Sequence, residues 1–93
     1  MLVEQIRKAV RQGEYLVGAH ARLRLRERRI ALWQVESGLE GATIMEVRPD
    51  DEPNPSIVVE ELLPDGAIVH VVWSWLETTE RAKLVTVFFP RPS

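Results

Sequence analysis

Residues 57–75 read Ile57-Val58-Val59-Glu60-Glu61-Leu62-Leu63-Pro64-Asp65-Gly66-Ala67-Ile68-Val69-His70-Val71-Val72-Trp73-Ser74-Trp75. Two runs of strand-forming residues, 57–62 and 67–75, flank a Pro-Asp-Gly turn. Proline presets φ, the aspartate side chain caps the turn, and glycine takes the position with positive φ, so the two runs are expected to pair as an antiparallel hairpin. The second run is apolar on both sides of the pleat except at His70 and Ser74, which predicts a central strand covered on both faces.

On the carboxyl side, residues 83–89 form a further β-branched and aromatic run. On the amino side, Thr43, Met45 and Val47 alternate with Ile44, Glu46 and Arg48, and an acidic, proline-rich loop over 49–55 separates that alternation from the hairpin. Before residue 42 the period changes. Leu2, Val3, Ile6, Ala9 and Val10 recur at helical spacing and stop at Gly13, residues 15–17 are a short extended segment, 19–29 are mostly good helix formers, and Ile30, Leu32 or Trp33, Val35 and Leu39 complete a third helical pattern closed by Gly38 and Gly41. The expected class is α+β, with two to three N-terminal helices packed on a four-stranded antiparallel β-meander. One domain over 1–93 is expected, helical over about 2–40 and sheet over about 42–90, with the tail 90–93 frayed. Trp33, Trp73 and Trp75 are read mainly as core.

Composition narrows the chemistry. At 93 residues and 45% hydrophobic, the chain can bury a core of its own. Twelve Lys+Arg against fourteen Asp+Glu give a net charge of −2, which excludes a globally basic nucleic-acid binder. The absence of Cys removes thiolate metal sites, Fe–S clusters and catalytic cysteines. With two His, a metal site would be mostly carboxylate; no metal or cofactor is expected. Ser37, Ser56, Ser74 and Ser93 fall in no nucleophile motif, and the five Gly make no phosphate-cradling loop. Glu4 and Arg7 interrupt any N-terminal apolar stretch, so a cytoplasmic protein with no membrane segment is expected.

The charge is unevenly spread. Residues 20–29 hold Arg22, Arg24, Arg26, Arg28 and Arg29 against Glu27, a local +4 that leaves −6 for the rest. At 100° per residue His20, Arg24, Glu27 and Arg28 share one stripe, beside an apolar stripe of Ala19, Leu23 and Ile30. A bland reading makes Arg24 and Glu27 a surface pair worth ~0.3–0.5 kcal/mol. The alternative is a phosphate-binding face on an acidic protein.

The run His20-Ala21-Arg22-Leu23-Arg24-Leu25-Arg26-Glu27-Arg28-Arg29-Ile30 resembles the His-Ala-x-x-Arg-x-x-Glu-Arg-Gly-Ile signature of a bacterial family of small proteins, domain-of-unknown-function family 4258. Ile68-Val69-His70-Val71-Val72 and Val85-Thr86-Val87-Phe88 resemble the strand segments that follow the signature in that family. The departures are Arg29 where the family usually has Gly, and Ala31 where a Ser or Thr helix cap is usual. The resemblance implies a helix-then-sheet protein of unsettled activity, similar in size and element order to the RelE-like and BrnT-like ribonuclease toxins of toxin–antitoxin pairs.

Metal-free RNA cleavage needs a base for the 2′-hydroxyl, an acid for the leaving 5′-oxygen and cations around the phosphorane. His20, Glu27 and His70 are the candidate proton carriers. Arg24 and Arg28 are the candidate phosphate holders, with Thr86 as a hydroxyl donor. The rival reading is a non-catalytic interaction module whose basic helix docks an acidic partner, such as an antitoxin or a second copy of the chain. The two separate at His20, because docking tolerates an uncharged replacement and proton transfer does not. His70 also has a structural reading, a strand histidine hydrogen-bonded to a neighbour.

Overall fold

A computed structural model of the chain describes residues 1–90. Three helices and five strands follow in the order α1 (Leu2–Arg11), β1 (Tyr15–Val17), α2 (Ala19–Arg28), α3 (Leu32–Gly38), β2 (Thr43–Arg48), β3 (Ser56–Leu62), β4 (Ile68–Leu76) and β5 (Arg81–Phe88). The α+β class stands. The sheet, however, has five strands rather than four, in the order β1-β5-β4-β3-β2. β2 to β5 form the expected antiparallel meander, whereas β1 pairs parallel to β5, Tyr15 opposite Ala82 and Val17 opposite Leu84. The sheet is therefore mixed. Of the tail expected to fray, Pro90 is described, and residues 91–93 lie outside the described residues.

The central hairpin forms as its turn chemistry dictates. Gly66 has φ 91° and donates its N–H to the Leu63 carbonyl at 2.9 Å, while Asp65 Oδ1 accepts the Ala67 N–H at 3.0 Å. Register follows from that turn: Leu62 pairs with Ile68, Glu60 with His70 and Val58 with Val72. β4 is the middle strand. Its Val69, Val71, Trp73 and Trp75 are buried in the core with Ile6, Ala9 and Val10 of α1, Ala21 and Leu25 of α2, and Val35 of α3. Each such large apolar side chain contributes roughly 1.5–3 kcal/mol by leaving water. The other side of β4 is not covered by helices as expected: Ile68 is 46% exposed and His70 and Val72 are half-buried.

Further differences concern which face each helix buries. α2 buries Ala21 and Leu25, and the expected apolar residues Ala19 and Leu23 face solvent. Trp33, expected in the core, is 62% exposed on α3, while Trp73 and Trp75 are buried. Tyr15 meets Trp73 edge to face at 5.6 Å and donates its hydroxyl to Glu36 Oε2 at 2.5 Å. Burial and then that hydrogen bond push the phenol up to about 12. Arg7 ties α1 to the end of α3 by donating to the carbonyls of Leu39 and Ala42, at 3.3 and 3.1 Å.

The α2–α3 joint stays tight although Arg29 occupies it. Arg29 takes the left-handed conformation (φ 56°, ψ 43°), and the Ile30 N–H reaches the Leu25 carbonyl at 2.9 Å. Ala31 offers no capping oxygen to α3, but the Gln34 side chain accepts the Ala31 N–H at 3.0 Å, half of a capping box. Among the described residues no helix is long and apolar enough to cross a membrane.

Candidate functional site

α2 carries its charged residues outward because Ala21 and Leu25 face the core. On the expected stripe, Arg24 Nη1 donates to Glu27 Oε1 at 2.9 Å, both side chains being exposed. This is an i, i+3 surface pair of small energetic weight. His20 is exposed near the start of the helix and makes no hydrogen bond or ion pair with the other candidates. Arg28, one turn after Arg24, places its guanidinium 5.6 Å from the centroid of Phe89, a cation–π contact just beyond the end of β5.

His70 stands in the middle strand with a neighbour on each side. Across β3 its Nε2 lies 2.9 Å from Glu60 Oε2, and across β5 its ring meets Phe88 edge to face at 5.5 Å. The Glu60 pairing puts an acceptor on Nε2–H when the carboxylate is ionised, which leaves Nδ1 as the ring's acceptor. His70 is thus hydrogen-bonded in the sheet, as its structural reading requires, yet it is not sealed in the core. Its side chain is 16% exposed and that of Glu60 36%. Thr86 pairs with Val72 and is half-buried, on the same sheet face as His70 and Phe88.

The candidates therefore form two clusters rather than one stripe. Arg24, Glu27 and Arg28 lie on the last turns of α2; His70 and Thr86 lie on the sheet. The end of β5 joins them, because Phe88 touches His70 and the next residue, Phe89, touches Arg28. Both rings are 39% exposed. The two contacts flank the end of β5, Phe88 with His70 on the sheet face away from the helices and Phe89 with Arg28 on the helix side. Each contact sets an exposed ring beside a basic group, and such a pair can stack a planar base next to a phosphate.

Three participants escaped the sequence reading. Glu60 was accessible to it, since the Pro64-Asp65-Gly66 turn sets the hairpin register that brings residue 60 opposite residue 70. Phe88 closes the Val85-Thr86-Val87-Phe88 segment without a role assigned to it, and Phe89 ends the last strand pattern and carries no motif. A second missed acid, Glu61, is buried on the core side of β3 and is 1% exposed, with neither carboxylate oxygen hydrogen-bonded. Desolvation pushes it up to about 8. Among the described residues no group of three or more His, Asp or Glu is placed to hold a metal ion.

A family model described as Domain of unknown function (DUF4258) matches residues 17–89. No curated protein and no solved structure gives a match. The matched span takes in α2, the meander and every residue of both clusters. The chain belongs to the family Domain of unknown function (DUF4258).

Proposed function

We propose that the end of β5 and the last turns of α2 bind single-stranded RNA and cleave it by attack of a 2′-hydroxyl on the adjacent phosphate, the activity of a small ribonuclease toxin. The observation that supports this reading is the pair of exposed rings, Phe88 against His70 and Phe89 under Arg28. Bases stack on aromatic side chains whatever their sequence, and a guanidinium beside the stack meets the phosphate bidentately. In this reading His70, oriented by Glu60, takes the 2′-hydroxyl proton and His20 supplies the proton to the leaving 5′-oxygen. Arg24 and Arg28 offset charge on the phosphorane, Thr86 donates a hydrogen bond, and Glu27 positions Arg24 rather than moving a proton. Each acid or base is typically worth ~10²–10⁴ in rate.

The experiment is cleavage of single-stranded RNA by purified protein in the presence of a metal chelator, with analysis of the new ends. Cyclic phosphate ends that disappear in folded His20→Ala and Glu60→Gln variants support the reading. Intact RNA sinks it.

The interaction module is the second reading. It is favoured by Arg22 and Arg26, one turn apart, exposed, and without an ion-pair partner among the described residues. Such cations suit an acidic protein surface better than a single phosphate.

A further inference from the structure

We propose that the outer edge of β1 receives an extended, acidic segment of a partner protein as a sixth strand of the sheet. The inference rests on the acidic partner of the second reading and is independent of RNA cleavage. β1 ends the sheet, and its backbone is used on one side only. The Ala82 N–H donates to the Glu14 carbonyl at 3.2 Å and the Gly18 N–H donates to the Leu84 carbonyl at 2.9 Å, so residues 14, 16 and 18 turn their polar groups toward β5. By alternation, Tyr15 and Val17 turn theirs outward. An added strand can make two donor and two acceptor bonds there.

The two edges are protected differently. β2 carries a bulge between Ile44 and Glu46, and its surface charges are already paired, Arg48 Nη2 to Glu46 Oε2 at 2.9 Å. Bulges and charged side chains are how sheet edges repel further strands. β1 has neither a bulge nor a charged side chain, and only its length of three residues limits what it can pair. Leu16, 43% exposed, and half-buried Val17 and Leu32 line an open groove along it, which gives alternate side chains of an incoming strand an apolar seat.

Charge selects the occupant. Arg22 lines the groove, Arg26 follows it one turn on, and Lys83 stands opposite Leu16 in the ladder. The acids nearby are engaged: Glu36 accepts the Tyr15 hydroxyl, and Glu14 lies 3.6 Å from Arg81. The edge thus presents cations that have no ion-pair partner among the described residues, beside backbone groups turned outward. An extended chain alternating apolar and acidic residues matches both features.

The test uses a peptide of alternating valine and glutamate, titrated into isotopically labelled full-length protein while amide hydrogen exchange is followed residue by residue. Slowed exchange at Tyr15 and Val17, with affinity reduced at least about tenfold by Arg22→Glu combined with Arg26→Glu, is the expected result. Affinity that falls with charge reversal while the Tyr15 and Val17 amides stay unprotected overturns strand addition and leaves the acidic partner standing. Equal affinity for a peptide with lysine in place of glutamate overturns both. Protection at Thr43–Arg48, protection that rises with protein concentration in the absence of peptide, or the same protection produced by oligouridylate assigns the edge to another occupant and overturns the proposal.

Discussion

Gly38 at the end of α3 lies directly over the carboxyl group of Glu61: a Cβ at Gly38 would stand 2.5 Å from Oε1 and 3.2 Å from Cδ. Glu61 cannot swing aside, because its side chain is enclosed by the core. A short helix and a buried acid are therefore matched in shape.

Gly38→Ala is expected to destabilise the protein by about 1–3 kcal/mol through overpacking, although helix propensity alone would favour alanine by up to ~1 kcal/mol. In a Glu61→Ala background the same substitution should become neutral or stabilising. Urea melts of the two single variants and the double variant give the coupling, and additive effects would mean that the two residues do not meet.

Stability should fall as pH rises from about 4.5 to about 8. The Glu61 carboxyl loses its proton near 4.5 when solvated and near 8 when folded, so the native state holds the extra proton between those values. Its contribution is full below about 4.5 and is lost as pH rises through about 8, an effect of a few kcal/mol at most. Glu61→Gln should flatten the profile of urea midpoint against pH over that window. An unchanged slope in the variant would assign the dependence to other groups.

Two substitutions at the α2–α3 joint should raise stability. Arg29 holds a left-handed conformation that costs a side-chain-bearing residue ~1 kcal/mol, so Arg29→Gly should recover roughly 0.5–1 kcal/mol of it. Ala31→Ser adds the missing capping oxygen for the Gln34 N–H and should add about 0.5–1 kcal/mol. Each corresponds to a rise in Tm of a few degrees for a chain of this size. Calorimetry showing a lower Tm for Arg29→Gly would mean that the arginine side chain makes a stabilising contact.

RNA binding should divide into charge and stacking. Arg24→Ala with Arg28→Ala should lessen the log–log salt slope by about 0.7 for each phosphate that is no longer neutralised. Phe88→Ala and Phe89→Ala should each weaken binding by ~1–3 kcal/mol at unchanged slope. Fluorescence titrations with a labelled oligoribonucleotide over a range of salt separate the two. A slope that changes with the phenylalanines and not with the arginines would place the RNA elsewhere.

The parts legible in the sequence were those with a local cause. Pro64-Asp65-Gly66 fixes a turn, and a turn fixes a register, so the meander followed from a few residues. β1 was not legible as a strand of this sheet, since three residues carry no period and their partners lie beyond β4. The buried face of α2 was misjudged because Leu23 and Leu25 are chemically equivalent and only the docked helix decides which meets the core. Glu60 and Glu61 illustrate a missed inference: consecutive residues of a strand point to opposite faces, so one of two adjacent acids had to enter the interior. The candidate residues on α2 were individually visible. Their junction with His70 depends on Phe88 and Phe89, whose importance comes from where β5 ends.

The parallel pairing of Tyr15 with Ala82 joins nearly the first and nearly the last ordered segments of the chain. A pairing so distant along the chain carries a closure entropy greater than that of the adjacent hairpins. During synthesis, α1 and α2 leave the ribosome before any strand of the meander, so Ile6, Ala21 and Leu25 have no sheet to cover until β3 and β4 follow them. The basic segment of α2 is therefore translated more than fifty residues ahead of β5, the strand beside which its helix packs.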